Sequence, residues 1–415
     1  MHTREIGQNG RAPMRIVIQK FGGTSVAESK NREMAVRKII NARKSGFQSV
    51  VVVSAMGRRG DPYATDTLID FIRNSYRDVH PREMDLLMSV GEILSCVVMA
   101  NTLQGKGYDA VAVTGRQAGI LTDENHGNAD ILEVRPDFIV HLLEHGKIPV
   151  VAGFQGSTKA GQITTFGRGG SDTTAAILGE ALKAESIEIY TDVDGIMTAD
   201  PRIVSDASTL RTISYSEILQ IADQGAKVIH PKAVEIAMRS GIPIIIKNTM
   251  TNSPGTVVSS RPGRKKHQKS GQLITSIAQM TGRTQFTIET EGMEDQNNTL
   301  VCLAGNGISI DIINIFPDQM VFTIEGHATK KALEILEKQK KHYRFIENCS
   351  KISVVGDRMR GIPGVMSRII RALTARQIEV LQTSDSHSTI SCLVRGEDTV
   401  PAVLALHEEF NLSTQ

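Results

Sequence analysis

The apolar run 14–18 leads into Lys20-Phe21-Gly22-Gly23-Thr24-Ser25. That order predicts a strand, then a turn too tight for side chains, with a lysine aimed into it. Two adjacent glycines let backbone N–H groups approach an anion closely. A lysine at a strand end supplies a point charge for phosphate. A second stretch, Gly167-Arg168-Gly169-Gly170-Ser171-Asp172, repeats the theme with an arginine. Two phosphate-facing loops in one domain are therefore expected.

At 415 residues the chain exceeds ordinary single-domain size, so two or three domains are expected. A net charge of only +2 argues against a nucleic-acid partner. Cys96, Cys302, Cys349 and Cys392 include no C-x-x-C pair, so neither a zinc site nor a disulfide framework is indicated. The cytoplasm is the expected compartment. No apolar run is read as long enough for a membrane span. The polar stretch 1–13 reads as a disordered tail, with Met14 as a natural start.

Residues 14–258 alternate strand and helix patterns. Strands are predicted over 16–19, 49–53, 110–113, 148–153, 186–191 and 242–247, and helices over 32–42 and 84–103. This is an α/β fold with a mainly parallel sheet. Ligands then sit at the carboxyl ends of the strands, where the glycine loops fall. The basic, Gly- and Pro-containing stretch 259–272 reads as an exposed linker. Beyond it, strands are predicted over 274–277, 284–289, 308–314 and 320–324, with a helix over 330–338. Then come a strand at 351–355, a helix at 364–375, strands at 379–383 and 388–394, and a helix at 399–409. The second half has the ferredoxin-like βαββαβ plan: a less regular unit over 273–348 and a regular one over 349–415. Two copies make a pseudo-repeat, not a solenoid.

The chain lacks the P-loop signature and the protein-kinase signatures. Asp172 occupies the place of the third glycine in a dinucleotide fingerprint. Five elements remain. Lys20 stands before Gly22-Gly23. Ser54-Ala55-Met56-Gly57 ends the next strand, with Thr65 and Asp66 in the following loop. Glu92 lies in the helix opened by Pro81, beside an apolar face of Leu86, Leu87, Val90, Ile93, Leu94 and Val97 taken as its core side. A glutamate beside a core is paired or functional. The loop Gly167–Asp172 runs into a helix whose N-terminus suits an anion. Ser171 and Asp172 fit N-cap positions, so capping and catalysis both stand for Asp172. Arg168 can grip a carboxylate bidentately. Finally, Thr191, Asp192, Met197, Asp200 and Arg202 follow an apolar strand, and Lys227 adds a second lysine. His230 has no ligand-spaced partner and reads as structural.

Taken together, KFGGTSVA, the SVGE helix, TFGRGGSDTTA, TDVDGIMTADPR and GAKVIHPKAVEIA resemble the aspartokinase family, across nearly the whole chain from Met14. The resemblance implies the amino-acid kinase fold followed by two ACT domains. It implies ATP-dependent phosphorylation of the side-chain carboxylate of L-aspartate, the first step toward diaminopimelate, lysine, threonine and methionine. On that footing Lys20, Asp172 and Lys227 are the catalytic set. Thr65, Glu92, Arg168, Gly169, Gly170 and Ser171 hold aspartate. Lys20, Phe21, Gly22, Gly23, Ser54, Ser171, Thr191, Asp192, Met197, Asp200, Arg202 and Lys227 hold ATP. Mg²⁺ rides on the nucleotide phosphates with no direct protein ligand. A carboxylate is already ionised at neutral pH, so the task is positioning and charge neutralisation.

The ACT resemblance implies pairing into at least a homodimer and control by an amino acid. Where many relatives have a Pro-Gly turn, the first unit carries polar 294–299, which puts its effector geometry in doubt. The second keeps Pro363, Gly364 and Val365. With Ile378, Val380, Thr383, Asp385 and His387 these form the expected effector set. The stretch 382–390 looks more like that of diaminopimelate-sensitive relatives than of lysine-sensitive ones. Its bland alternative is a polar hairpin turn. Two rival readings stand beside this one. A glutamate kinase of the same fold is disfavoured by Arg168 and the tandem tail. A catalytically inactive sensor should have lost Lys20, Lys227 or Arg168, and all are present.

Overall fold

The structure is a computed structural model that describes residues 14–225, 228–260, 274–356, 359 and 362–414. The expected tail, nearly all of the expected linker and Lys227 lie outside the described residues. The chain forms two compact units. The described part of the first comprises 14–196, 211–215 and 228–260. The second comprises 197–210, 216–225 and the rest from 274. The boundary is thus not one cut near 258, because two segments before it fold with the second unit.

The first unit is built on an eight-stranded sheet in the order Thr212–Ser214, Thr256–Ser259, Ile244–Asn248, Ser186–Thr191, Ile16–Phe21, Gln48–Val53, Ile148–Ala152 and Ala110–Val113. The six strands from Ile244–Asn248 onward run parallel. Val50–Val53 are buried without alternation, as expected of a parallel strand covered on both faces. A four-stranded sheet, Ile131–Val134, Ile120–Thr122, Gln155–Ser157 and Ile163–Thr165, was not foreseen. Its strands are only three or four residues long and carry polar residues, so they leave no periodic signal.

The helix expected over 84–103 spans Pro81–Gln104, with Pro81 at its first turn. Its orientation corrects the sequence reading. Asp85, Met88, Ser89, Glu92, Cys96 and Met99 are buried, whereas Leu86, Val90, Leu94 and Val97 are exposed. Several of the inner polar atoms have partners: Ser89 Oγ donates to Leu86 O at 2.7 Å, and Glu92 Oε1 accepts from Ala55 N at 3.1 Å. Satisfied polar groups can be buried, so hydropathy alone assigned the wrong face. The helix is also long and apolar enough to cross a membrane by length and composition, contrary to expectation, and half of that window is buried.

The second unit has one six-stranded antiparallel sheet, ordered Ile310–Ile315, Gln319–Glu325, Ser276–Glu289, Tyr343–Val355, Thr389–Arg395 and Gln382–Asp385. The strands expected at 274–277 and 284–289 are one continuous strand. Its second half, Arg283–Glu289, pairs with Gln319–Glu325 and with the first half of Tyr343–Val355. Its first half, Ser276–Met280, pairs with Lys351–Val355, which pairs in turn with Thr389–Arg395. The register shifts between Met280 and Gln285. Two ferredoxin-like sets of four strands therefore share two long strands, and the later set takes its fourth strand from 276–280. Two separate units divided at 348/349 do not describe this sheet. Ile277 accordingly packs with Ile352, Ile369 and Leu406, while Phe286 packs with Phe322 and Leu336. The polar stretch 294–299 lies in a helix, Met293–Gly305. The strand expected at 379–383 begins instead at Gln382, because Gln377 turns left-handed (φ +58°) and Ile378 N closes back on Leu373 O.

Shared strand geometry generates a specific outcome. Ile277→Ala should cost about 2–5 kcal/mol, the usual range for truncating a buried aliphatic side chain. Hydrogen exchange should show protection lost around Ile352 and Leu406 and kept around Phe286 and Phe322. The opposite pattern would return 276–280 to the first set.

Candidate active site

A cavity of about 490 Å³ opens in the first unit. It lies past the carboxyl ends of Ile16–Phe21, Gln48–Val53 and Ile148–Ala152, and Lys20, Ser54, Thr65, Glu92, Arg168 and Asp172 all line it. These residues come from five separate stretches of sequence, and the parallel sheet delivers them to one end.

Lys20 is the penultimate residue of its strand. Its Nζ lies 2.7 Å from Asp172 Oδ1, and both side chains are 13% exposed. The contact is one of charge and not an aligned hydrogen bond. Asp172 does not cap its helix. The N-cap is Gly169 (φ +70°), with no side-chain cap, and Asp172 sits in the first turn of Gly170–Leu182. Its Oδ2 accepts from His230 N at 3.3 Å. The capping alternative therefore gives way to an ion pair. Gly22 N donates to Tyr190 O at 3.2 Å, so that amide is committed to the protein. A Cβ on Gly23 would lie 2.6 Å from Ala55 O and 2.9 Å from Gly57 O. Only glycine lets these two loops close on each other. Phe21 is corrected as a ligand contact through its side chain, which is buried and stacked on Tyr190 at 4.7 Å.

Glu92 is 3% exposed. Its backbone neighbour Gly91 explains its placement: a Cβ there would meet Ala55 Cβ at 2.8 Å. One carboxylate oxygen is held by Ala55 N, and Oε2 is buried with no hydrogen-bond partner. Burial raises this carboxyl from 4.5 to about 8, because the charged form is desolvated. Arg168 is exposed, and none of the ion pairs of the described residues uses it. Ser171 is buried in the same helical turn, and Thr65 opens the helix Thr65–Ser75.

Asp192 is exposed and pairs with Arg58 at 3.0 Å, and Thr191 Oγ1 donates to Asp192 Oδ1 at 3.2 Å. Met197, Asp200 and Arg202 belong to the second unit. There Arg202 Nη2 lies 2.7 Å from Asp200 Oδ2, which also accepts from Gln279. Asp200 and Arg202 are thus paired with each other, and none of the three is among the residues lining the cavity described above.

Sequence reasoning missed four contributors. Arg58 and Arg59 line the cavity, each paired, the latter with Asp70 at 3.2 Å. Asp85, fully buried, accepts from Gly127 N, Thr165 N and Thr165 Oγ1 and contacts His126 Nδ1. It thereby ties the Gly127 loop to the strand that delivers Gly167 and Arg168. Phe154 holds a left-handed φ of +70°, with its N–H donated to Thr174 Oγ1 at 3.0 Å. No local sequence signal marks these, because each depends on contacts distant in the chain. Of the expected effector residues, Val365 and Ile378 are buried in the core of the second unit, with Val380 packed against it. Pro363, Gly364, Asp385 and His387 are exposed, and Thr383 is half-buried. Ser386 and Thr389 close the hairpin at 2.6 Å.

Residues 15–248 match the amino acid kinase family, and 344–408 match the ACT domain. Aspartokinase 1 of Bacillus subtilis is 47% identical over 403 residues, covering 96% of this chain and 100% of that protein. The aspartokinase of Geobacillus stearothermophilus is 40% identical over 413 residues, covering 97% and 98%. Among solved structures, E. coli aspartokinase III in complex with aspartate and ADP is similar at a TM-score of 0.75 and 25% identity, covering 95% of this chain and 99% of that one. The same enzyme in complex with lysine and aspartate gives the same values.

The raised pKa of Glu92 sets a pH dependence. Between about 4.5 and about 8 the folded protein holds a proton on Glu92 that the unfolded chain releases. Stability from this group is therefore full at low pH and falls as pH rises through that window. Glu92→Gln removes the dependence. Its melting temperature relative to the parent should climb from pH 5 to pH 8.5, measured by calorimetry without ligands. A constant difference would remove Glu92 as the titrating group.

Proposed function

The chain belongs to the aspartokinase family, and from that premise we propose a division of labour among the cavity residues in the transfer of the γ-phosphoryl group of ATP to the side-chain carboxylate of L-aspartate. The products are 4-phospho-L-aspartate and ADP. The observation that carries the proposal is the convergence of one unpaired arginine, one buried carboxyl oxygen without a partner, and the Lys20–Asp172 pair on a single cavity.

Aspartate brings two carboxylates and an ammonium. Arg168 takes a carboxylate in its planar fork. The ammonium meets Glu92 Oε2. An arriving cation favours the ionised carboxylate, so binding at neutral pH drives the Glu92 proton off. Thr65 and Ser171 supply hydroxyls beside these charges, and Gly169 and Gly170 let the backbone approach. Lys20 neutralises the transferring phosphoryl group, and Asp172 keeps its ammonium aimed. Ser54, Gly22, Gly23, Thr191 and Asp192 border the nucleotide, and Lys227 faces its phosphates. Mg²⁺ would ride on the phosphates and would supply further charge neutralisation there. No general base is needed, since the nucleophile is already an anion.

ADP release should be measured with a panel of amino acids. Turnover with aspartate and none with glutamate is expected. Lys20→Ala should lower kcat by at least about a hundredfold, the scale of one preorganised charge contact. Arg168→Lys should raise the KM for aspartate with little change for ATP, because a point charge cannot replace the fork. Wild-type turnover in folded Lys20→Ala would exclude Lys20 from the step, and a selective loss of ATP affinity in Arg168→Lys would reverse its assignment.

The second unit regulates by binding an amino acid, and the proposed effector is meso-diaminopimelate. This ligand has an amino-acid group at each end, so it needs a partner for a second carboxylate. His387 and the neighbouring hydroxyls offer donors, and Asp385 can take an ammonium. Initial rates should fall with diaminopimelate and respond weakly to lysine or threonine alone. Strong inhibition by lysine with no response to diaminopimelate would refute the assignment.

A further inference from the structure

Among the described residues, the cations lining the cavity are Lys20, Arg58, Arg59 and Arg168. Lys20 is matched by Asp172. Arg168 is the group assigned above to an aspartate carboxylate. Arg59 is turned toward the helix Thr65–Ser75, where two of its nitrogens meet Asp70 at 3.2 and 3.4 Å. Arg58 reaches elsewhere. Its backbone follows the strand Gln48–Val53, yet its Nη2 donates to Asp192 Oδ2 at 3.0 Å, just past the end of Ser186–Thr191. Those two strands flank Ile16–Phe21 in the sheet. The Arg58 side chain therefore crosses the end of that central strand, beside the Gly22–Gly23 turn. The gap it bridges is two strand spacings of about 4.8 Å each.

The backbone beneath this arm is fixed. Gly57 N donates to Gly23 O at 3.2 Å, Arg58 N to Asp61 Oδ2 at 2.7 Å, and Gly60 N to Thr67 Oγ1 at 2.9 Å. Gly57 is left-handed (φ +87°), and a Cβ there would collide with the Asp61 carboxylate. The arm itself is free to travel. The side chains of Arg58 and Asp192 are 73% and 57% exposed, and a pair so open to water contributes little. Only Nη2 of Arg58 is engaged in it.

We propose that Arg58 is a second phosphate-binding cation of the transfer step, docked on Asp192 while the cavity is empty and moved onto the terminal phosphate when the nucleotide arrives. This rests on the reading of the cavity as the site of phosphoryl transfer. The exchange follows from the relative strength of the two contacts. A guanidinium fork on phosphate oxygens makes two parallel charge-assisted hydrogen bonds. Against that, Asp192 gives up one exposed contact and its carboxylate stays in water. The transferring group spreads its charge over three oxygens. Lys20 meets it with an ammonium already answered in part by Asp172. With Arg168 given to aspartate, Arg58 brings the further positive charge beside the same glycine turn.

Calorimetry and steady-state kinetics on the full-length protein test the assignment. Arg58→Gln should weaken the β,γ-imido analogue of ATP at least about tenfold and ADP less than about twofold, with Mg²⁺ and without amino acid, because the lost fork grips only the terminal phosphate. Its kcat with aspartate should fall at least about a hundredfold, the scale of one preorganised charge contact, with little change in the KM for aspartate. Partner exchange also predicts coupling. Asp192→Asn frees the arm, so its effect on imido-ATP affinity should be more favourable, by at least about threefold, with Arg58 present than in Arg58→Gln. Equal losses for imido-ATP and ADP, an unchanged kcat, or additive effects of the two substitutions would each overturn the proposal. Should Arg58→Gln lose its circular dichroism, Arg58→Lys carries the binding comparison. It keeps the charge without the fork and should weaken imido-ATP at least about threefold more than ADP, and equal changes would refute the assignment. Wild-type protein that binds both nucleotides but does not turn over aspartate would overturn the transfer reading, and the nucleotide comparison would still decide the role of Arg58.

Discussion

The ion pair of Lys20 and Asp172 is the contact on which the cavity depends. Lys20 is next to last in a central strand and Asp172 lies in the first turn of a helix, and both side chains are largely withdrawn from water. Removing either partner would leave a charge with poor solvation and no compensation, which costs far more than an exposed pair contributes. The pair therefore locks the strand end to the helix start before any ligand arrives. Asp172 also receives His230 N through its other oxygen. One carboxylate thus joins three stretches of sequence and leaves the lysine ammonium facing a cavity built for anions.

The helix Pro81–Gln104 shows the same economy of charge. Its inward face is polar because it serves the site: Asp85 fastens the Gly127 loop and Thr165, and Glu92 reaches Ala55 and the cavity. Partners on other segments make this burial tolerable. A sequence read for amphipathicity has no access to those partners. It sees six aliphatic residues at helical spacing and assigns them to the core.

The legible features were those set by local chemistry. The β-branched run at 50–53, the Gly-Gly turn after Lys20 and the helix at 399–409 all fall within a residue or two of where periodicity puts them. Lys20, Thr65, Glu92, Arg168 and Asp172 were named from motif context and meet in one cavity. Features set by tertiary exchange stayed hidden. Nothing local to 276–280 says that this strand completes a set of strands beginning seventy residues later, since its pairing with Lys351–Val355 exists only in the sheet. Asp200 and Arg202 looked poised for a nucleotide, but a bidentate pair between residues two apart can form in the chain itself.

That last segment bears on control. The chain leaves the first unit after Ile196, only a few residues beyond Asp192, and returns at Arg211. Between those points it is fastened to the second unit. Thr198 O accepts from Ile277 N, Thr198 Oγ1 meets Nε2 of the buried His407, and Ala199 and Val204 pack in the core that holds Ile369 and Leu406. The helix Thr399–Glu409 and the strand 276–280 therefore grip a covalent extension of the strand that carries Thr191. A packed core shifts between discrete arrangements and does not yield gradually. The gripped segment continues into the first unit at both of its ends, at Ile196 and at Arg211, so a rearrangement of that helix or strand bears directly on the backbone there. Coupling here needs no extended pathway of side chains, since the backbone itself makes the connection.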